Sequence, residues 1–315
     1  MASHRLRLLL IAACSILIAA PVLADTQESA DWDTLRSAYD YDATADLDAQ
    51  VSDVSTVGSM IVERMSFLGD DDERIPALLM RPAGVERPPC ALVLHGLGGD
   101  KSQARVIAAL LIPHGIAVMA IDAALHGDRR EQGVELWDAG PALGEREGPL
   151  MRTVVDNRRA IDYIVSRDDI DGDRVVLVGL SMGAILGSVV AAVDDRVDAA
   201  ALIVGGGDWE KILSTSDHPM AARFREAGII DGSALAPVDP VNFIGKISPR
   251  PVLLINGTED AIIPRAAAEA LHEAAREPVQ TVWFEGGHVG LTPDVIFGFV
   301  DWTAQQFAED ETDPD

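Results

Sequence analysis

Asp171-Gly172-Asp173-Arg174-Val175-Val176-Leu177-Val178-Gly179-Leu180-Ser181-Met182-Gly183 carries the chain from a polar turn, through a short apolar strand, into a G-x-S-x-G pentapeptide. The alanine-rich stretch that follows reads as helix. The serine therefore stands on a strand-turn-helix boundary, the setting in which this pentapeptide has mechanical meaning. A turn that tight needs small residues beside the serine and leaves its hydroxyl exposed at the end of a strand. Taken alone, the pentapeptide suits a plain N-cap serine equally well, because Gly and Ser both collect in turns. The rest of the chain decides between the two.

Three further apolar strands end in residues that a serine nucleophile requires. Ala91-Leu92-Val93-Leu94 runs into His95-Gly96-Leu97-Gly98-Gly99. Pro251-Val252-Leu253-Leu254-Ile255 ends in Asn256-Gly257-Thr258-Glu259-Asp260, with Pro264 beyond, and Thr281-Val282-Trp283-Phe284 ends in Glu285-Gly286-Gly287-His288. A serine hydroxyl is a weak nucleophile at neutral pH and needs a base beside it. Of the seven histidines, His288 is the best candidate. Asp260, with Glu259 as its rival, would hold that ring in one tautomer. Backbone N–H groups of Leu97 and Met182 are the candidates for an oxyanion hole, since glycines at 96, 98 and 99 let the backbone approach a substrate closely. His95 reads as a structural ring braced by backbone. His126 is open between a rim position and a structural one, and His218 between a solvated residue and a substrate contact. Each candidate follows a strand end, where open α/β sheets place their ligand site.

These residues resemble the α/β-hydrolases, and more narrowly the serine esterases grouped with dienelactone hydrolases and prolyl-oligopeptidase-like domains. The order Ser181, Asp260, His288 is the α/β-hydrolase order. The matching residues also include Asp122 through Leu125-His126-Gly127, Asp239-Pro240, Ile247-Ser248-Pro249-Arg250-Pro251, Gly257 and Pro264. The resemblance spans roughly residues 57–307 and assigns the acid to Asp260. It implies an α/β-hydrolase fold, with a mostly parallel central sheet flanked by helices. It also implies hydrolysis of carboxylic esters, short acyl groups on carbohydrate or plant-derived material among them, and no cofactor. Dienelactone hydrolases proper would be expected to carry a cysteine nucleophile; serine at 181 favours ordinary esters over lactones. A peptidase or amidase, or a non-catalytic binding protein on the same fold, are the alternatives.

The 315 residues suffice for one large α/β domain. His4, Arg5 and Arg7, the apolar run 8–20 and Val22-Leu23-Ala24 read as an export signal cleaved near Ala24. That run is too short to span a bilayer, and a lipoprotein box at Cys14 is the weaker reading. The expectation is a periplasmic or secreted protein with arm 25–56, part helical, catalytic domain 57–308 and acidic tail 309–315. Within the domain, 208–246 is the candidate cap. Residues 60–67 and 75–80 read as an antiparallel pair at the sheet edge, and 129–149 as a long Gly-rich excursion.

Acids number 51 against 25 lysines and arginines. The formal charge is −26, and about −28 without the two signal arginines. Phosphate-backbone binding needs a basic patch, so nucleic-acid partners are excluded. No His-Glu-x-x-His run, paired cysteines or calcium-loop spacing points to a metal. Cys90 reads as a buried small apolar residue.

Overall fold

The computed structural model describes residues 32–230 and 232–308. The expected signal and acidic tail lie outside them. Residues 32–37 are helical and belong to a unit of their own; a second unit begins at Ala38. Within that second unit the strands are β1 (Gln50–Val57), β2 (Met60–Leu68), β3 (Arg74–Pro82), β4 (Pro89–Leu94) and β5 (Ala117–Ile121). They continue as β6 (Asp171–Leu180), β7 (Ala199–Ile203), β8 (Val252–Gly257) and β9 (Val279–Phe284). The helices are α1 (Ala104–Leu111), α2 (Pro149–Val165), α3 (Met182–Val193), α4 (Trp209–Thr215), α5 (Pro219–Glu226), α6 (Arg265–Ala274) and α7 (Pro293–Gln305).

One nine-stranded sheet results, in the order β1-β2-β3-β5-β4-β6-β7-β8-β9. β1, β2, β3 and β5 pair antiparallel; from β5 to β9 every neighbouring pair is parallel. The inner parallel strands, β4 to β8, are buried on both faces, so they read as unbroken apolar runs rather than alternation. Cys90 to Val93, Val175 to Val178 and Ala200 to Leu202 are all fully buried. Cys90 lies inside that core, and burial pushes its thiol up to about 12. This is the α/β-hydrolase architecture with a helical cap, α4 and α5, inserted after β7.

The sheet edge differs from expectation. β2 and β3 pair antiparallel, but β1 adds outside them and takes the edge. All eight residues of β1 are exposed, so neither face imprints a period-two pattern, and backbone pairing alone makes it a strand. Residues 50–56 of the expected arm are therefore sheet.

Strand order reverses at β4, which has β5 on one side and β6 on the other. Such a switch point opens a crevice at the carboxyl ends of the two strands. Register brings Leu94 opposite Gly179 and Gly257 opposite Phe284. The loops that begin at His95 and Leu180 therefore emerge side by side, as do those carrying Asp260 and His288.

Candidate active site

The turn after β6 places Ser181 at φ 55°, ψ −114°, a conformation that costs a non-glycine residue on the order of 1–3 kcal/mol. Packing around it explains why the turn persists. A Cβ on Gly179 would lie 2.4 Å from the Gly183 carbonyl oxygen, and one on Gly183 would lie 2.1 Å from that of Leu94. Only glycine lets strand, turn and helix approach this closely. The Ser181 N–H donates to Ile203 O at 2.9 Å, and its carbonyl accepts from Ala184 and Ile185 at the start of α3. The side chain is left directed away from both elements.

His288 Nε2 lies 2.8 Å from Ser181 Oγ, and His288 Nδ1 lies 2.7 Å from Asp260 Oδ2. The other carboxylate oxygen, Asp260 Oδ1, accepts from the N–H groups of Ile262 at 2.8 Å and Ile263 at 2.9 Å. Asp260 is buried, whereas the His288 ring is partly open to the cleft. A carboxylate held by two backbone donors cannot swing away. It fixes the ring with Nδ1 protonated and Nε2 free to take a proton from the hydroxyl. Glu259 is not part of this chain of hydrogen bonds. Leu97 and Met182 line the same cleft as Ser181 and His288, and among the described residues neither N–H meets a protein acceptor.

His95 braces the loop that carries Leu97. Its Nε2 accepts from the Ala123 N–H at 3.0 Å, so Nδ1 carries the proton and donates to Gly96 O at 2.9 Å. That carbonyl belongs to the same peptide plane as the Leu97 N–H. Gln103 Oε1 holds the Gly96 N–H from the other side at 3.1 Å. His126 is buried against His95, with ring centroids 5.3 Å apart and Nδ1 2.8 Å from Ala124 O. It braces the loop after β5 and does not line the cleft. Burial holds both rings below the usual histidine range.

The cleft has a volume of about 170 Å³. Its floor is Ser181, Met182 and Ile185, and α4 and α5 close one wall with Trp209, Leu213 and Phe224. Leu136, Leu143 and Leu150 close another. These leucines come from the Gly-rich excursion and the start of α2, where the sequence shows no binding signal beyond leucine spacing in a polar loop. His218, the N-cap of α5, also lines the cleft. Its Nδ1 accepts from the Met220 N–H at 3.1 Å, which leaves the proton on Nε2. Burial, with His288 nearby, lowers its pKa and keeps it neutral near pH 7. Ser216 is occupied, donating to Ile262 O and accepting from the His218 N–H. Among the described residues, no group of three or more His, Cys, Asp or Glu side chains could hold a metal ion, and no helix is long and apolar enough to cross a membrane.

The chain is similar to several known proteins. Esterase YjfP of Escherichia coli is 26% identical over 233 residues, covering 70% of this chain and 91% of that protein. The uncharacterized protein YfhR of Salmonella typhimurium is 32% identical over 172 residues, covering 50% of this chain and 58% of that protein. Among solved structures, acetyl xylan esterase 1 of Thermoanaerobacterium sp. JW/SL YS485 superposes with a TM-score of 0.73 at 18% identity. That superposition covers 88% of this chain and 94% of that one, and it speaks for the fold alone. The model of the dienelactone hydrolase family matches residues 75–294, a span that holds the turn at Ser181, the loop at Asp260 and the histidine at 288, and the chain belongs to that family of α/β-hydrolases.

Proposed function

We propose that the protein is a serine esterase that cleaves carboxylic esters of short acyl groups through an acyl-enzyme on Ser181. The observation that carries this reading is the continuous hydrogen-bonded run from Ser181 Oγ through His288 to Asp260, opening into an apolar cleft. Ser181 Oγ attacks the ester carbonyl as its proton passes to His288 Nε2. The oxyanion of the tetrahedral intermediate takes hydrogen bonds from the N–H groups of Leu97 and Met182. Each such donor is worth about 2.7–4 kcal/mol in the transition state. Collapse expels the alcohol, which leaves with the proton from His288. Water, deprotonated by the same ring, then releases the acid and restores the serine.

The cleft of about 170 Å³ is close to the roughly 150 Å³ of a protein cavity known to take up benzene. An acyl group of up to about six carbons fills such a space; longer chains meet the leucine wall. A serine in place of the cysteine expected of dienelactone hydrolases proper favours simple esters.

The test is direct. A fluorophosphonate labels Ser181, and p-nitrophenyl acetate and butyrate are turned over while the matched anilides are not. Ser181→Ala removes labelling and lowers kcat by about 10⁴-fold or more. Absence of both labelling and turnover at every acyl length excludes the reading.

A further inference from the structure

We infer that a second groove beside the reaction cleft binds an anionic group, a carboxylate or phosphate, on the alcohol side of the ester. The inference rests on the serine-esterase reading. The groove has a volume of about 560 Å³ and lies across the oxyanion loop from the cleft. Leu97 lines the cleft, whereas Gly98 and Gly99 line the groove. An ester held at Ser181 with its acyl group among the leucines of the cleft has its alcohol portion free to cross this glycine segment. Gly98, at φ +75°, presents bare backbone there, with nothing within 4 Å of where a Cβ would stand.

The charge of the groove runs against that of the molecule. Arg64, Lys101, Arg105 and Arg130 line it, with Asp100 and Asp128 as its carboxylates. Both acids are occupied: Asp100 Oδ1 accepts from the Ser102 N–H at 2.7 Å, and Asp128 Oδ2 pairs with Lys101 Nζ at 2.7 Å. Lys101 is also held at 2.6 Å by buried Asp122, and Arg64 has only a loose contact with Asp53 at 3.9 Å.

Arg105 and Arg130 are different, for neither has an acidic, carbonyl or aromatic partner among the described residues. In a chain with 51 acids and 25 bases, a guanidinium without a partner is unusual. Among the described residues only Arg87 is in the same position, and the other two share this groove. Two open guanidinium groups offer the planar donor forks that carboxylate and phosphate oxygens accept. At physiological salt a Debye length of about 8 Å confines the protein's acidic field, so these local cations govern the groove.

The experiment uses acetate esters whose alcohols carry a carboxylate two, four or six carbons from the ester oxygen. Each is compared with its neutral carboxamide by pH-stat. The wild-type protein prefers the carboxylate by about tenfold in kcat/KM for at least one spacer, which corresponds to about 1.4 kcal/mol. That ratio falls to near one in the folded double variant Arg105→Gln/Arg130→Gln and persists in Arg87→Gln. It also shrinks in about 1 M salt, where the Debye length is roughly 3 Å. A ratio near one at every spacer length in the wild type overturns the inference, as does a ratio unchanged in the double variant. So does inorganic phosphate that alters turnover of the carboxamides while no carboxylate preference exists, which would make the groove a free-anion site. If neither ester series is cleaved and Ser181 resists fluorophosphonate, it is the esterase reading that fails. Calorimetric binding of inorganic phosphate and succinate then decides the groove: binding lost only in the double variant supports an anion site there, and no binding overturns it.

Discussion

At the scale of single residues, the site depends on rings whose protons are placed by backbone. His95 and His218 each accept a backbone N–H on one nitrogen, which assigns the proton to the other. In His95 that proton goes to Gly96 O and steadies the Leu97 peptide; in His218 the Nε2–H faces the cleft without a protein acceptor among the described residues. We expect the latter to donate to an oxygen of the bound ester. His218→Asn is the suitable variant, because Asn remains a good N-cap for α5 while its shorter side chain withdraws the donor. One neutral hydrogen bond is worth about 0.5–1.5 kcal/mol, so kcat/KM should fall roughly 3- to 10-fold while fluorophosphonate labelling of Ser181 continues. Unchanged kcat/KM, with the melting temperature also unchanged, would restrict His218 to capping.

At the scale of elements, the loop carrying Asp260 is steadied from behind by α6. Asn256, at the end of β8, donates to Gly205 O at 2.7 Å, and its Oδ1 lies 2.9 Å from His272 Nε2 on α6. The His272 ring also packs against Trp283 of β9. Burial lowers the pKa of His272 from 6.5 to about 4, and burial lowers those of His95, His126 and His218 as well. For a histidine depressed in the folded state, the unfolded chain takes up the proton first as pH falls. Stability is then complete above about pH 6.5 and declines as pH falls towards about 4. The melting temperature of the wild type should therefore drop between pH 7 and 4.5 more steeply than that of His272→Gln, which has no proton to gain. Parallel curves for the two proteins, followed by circular dichroism, would show that His272 does not contribute to the decline.

At the scale of the whole molecule, charge is the dominant feature. Many arginines are spent on buried or half-buried pairing, as with Arg129 between Asp156 and Glu73, and Arg167 between Glu63 and Asp169. With 51 acids against 25 lysines and arginines, acids remain in excess whatever the pairing, and their mutual repulsion opposes the compact state. Raising sodium chloride from low concentration to about 1 M shortens the Debye length to roughly 3 Å. The melting temperature should rise over that series. A non-ionic osmolyte such as sucrose controls for stronger apolar burial by excluded solute. A flat or falling melting temperature in chloride would show that repulsion does not limit stability, and it would leave the reading of Ser181 untouched.

What the sequence determined by itself is local. An apolar run followed by a glycine turn can be read wherever the strand is buried on both faces. So the strands ending at Leu94, Leu180 and Gly257 are legible; the half-exposed edge strand ending at Phe284 is marked instead by its apolar end and the glycines after it. With them come the loops holding Leu97, Ser181, Asp260 and His288. The two glycines flanking Leu180-Ser181-Met182 are required by contacts within one turn and with the adjacent strand, so the turn is legible too. β1 was not, because a strand exposed on both faces leaves no periodic trace. Only the tertiary structure decided the walls of the cleft and the charge of the groove. Leu136, Leu143 and Leu150 lie more than thirty residues from Ser181, and Arg105 and Arg130 are separated by 25 positions with β5 between them. What joins them is the reversal of strand order at β4, which gathers loops from distant parts of the chain at one end of the sheet. No spacing within a segment encodes that gathering, because it arises from how strands pair.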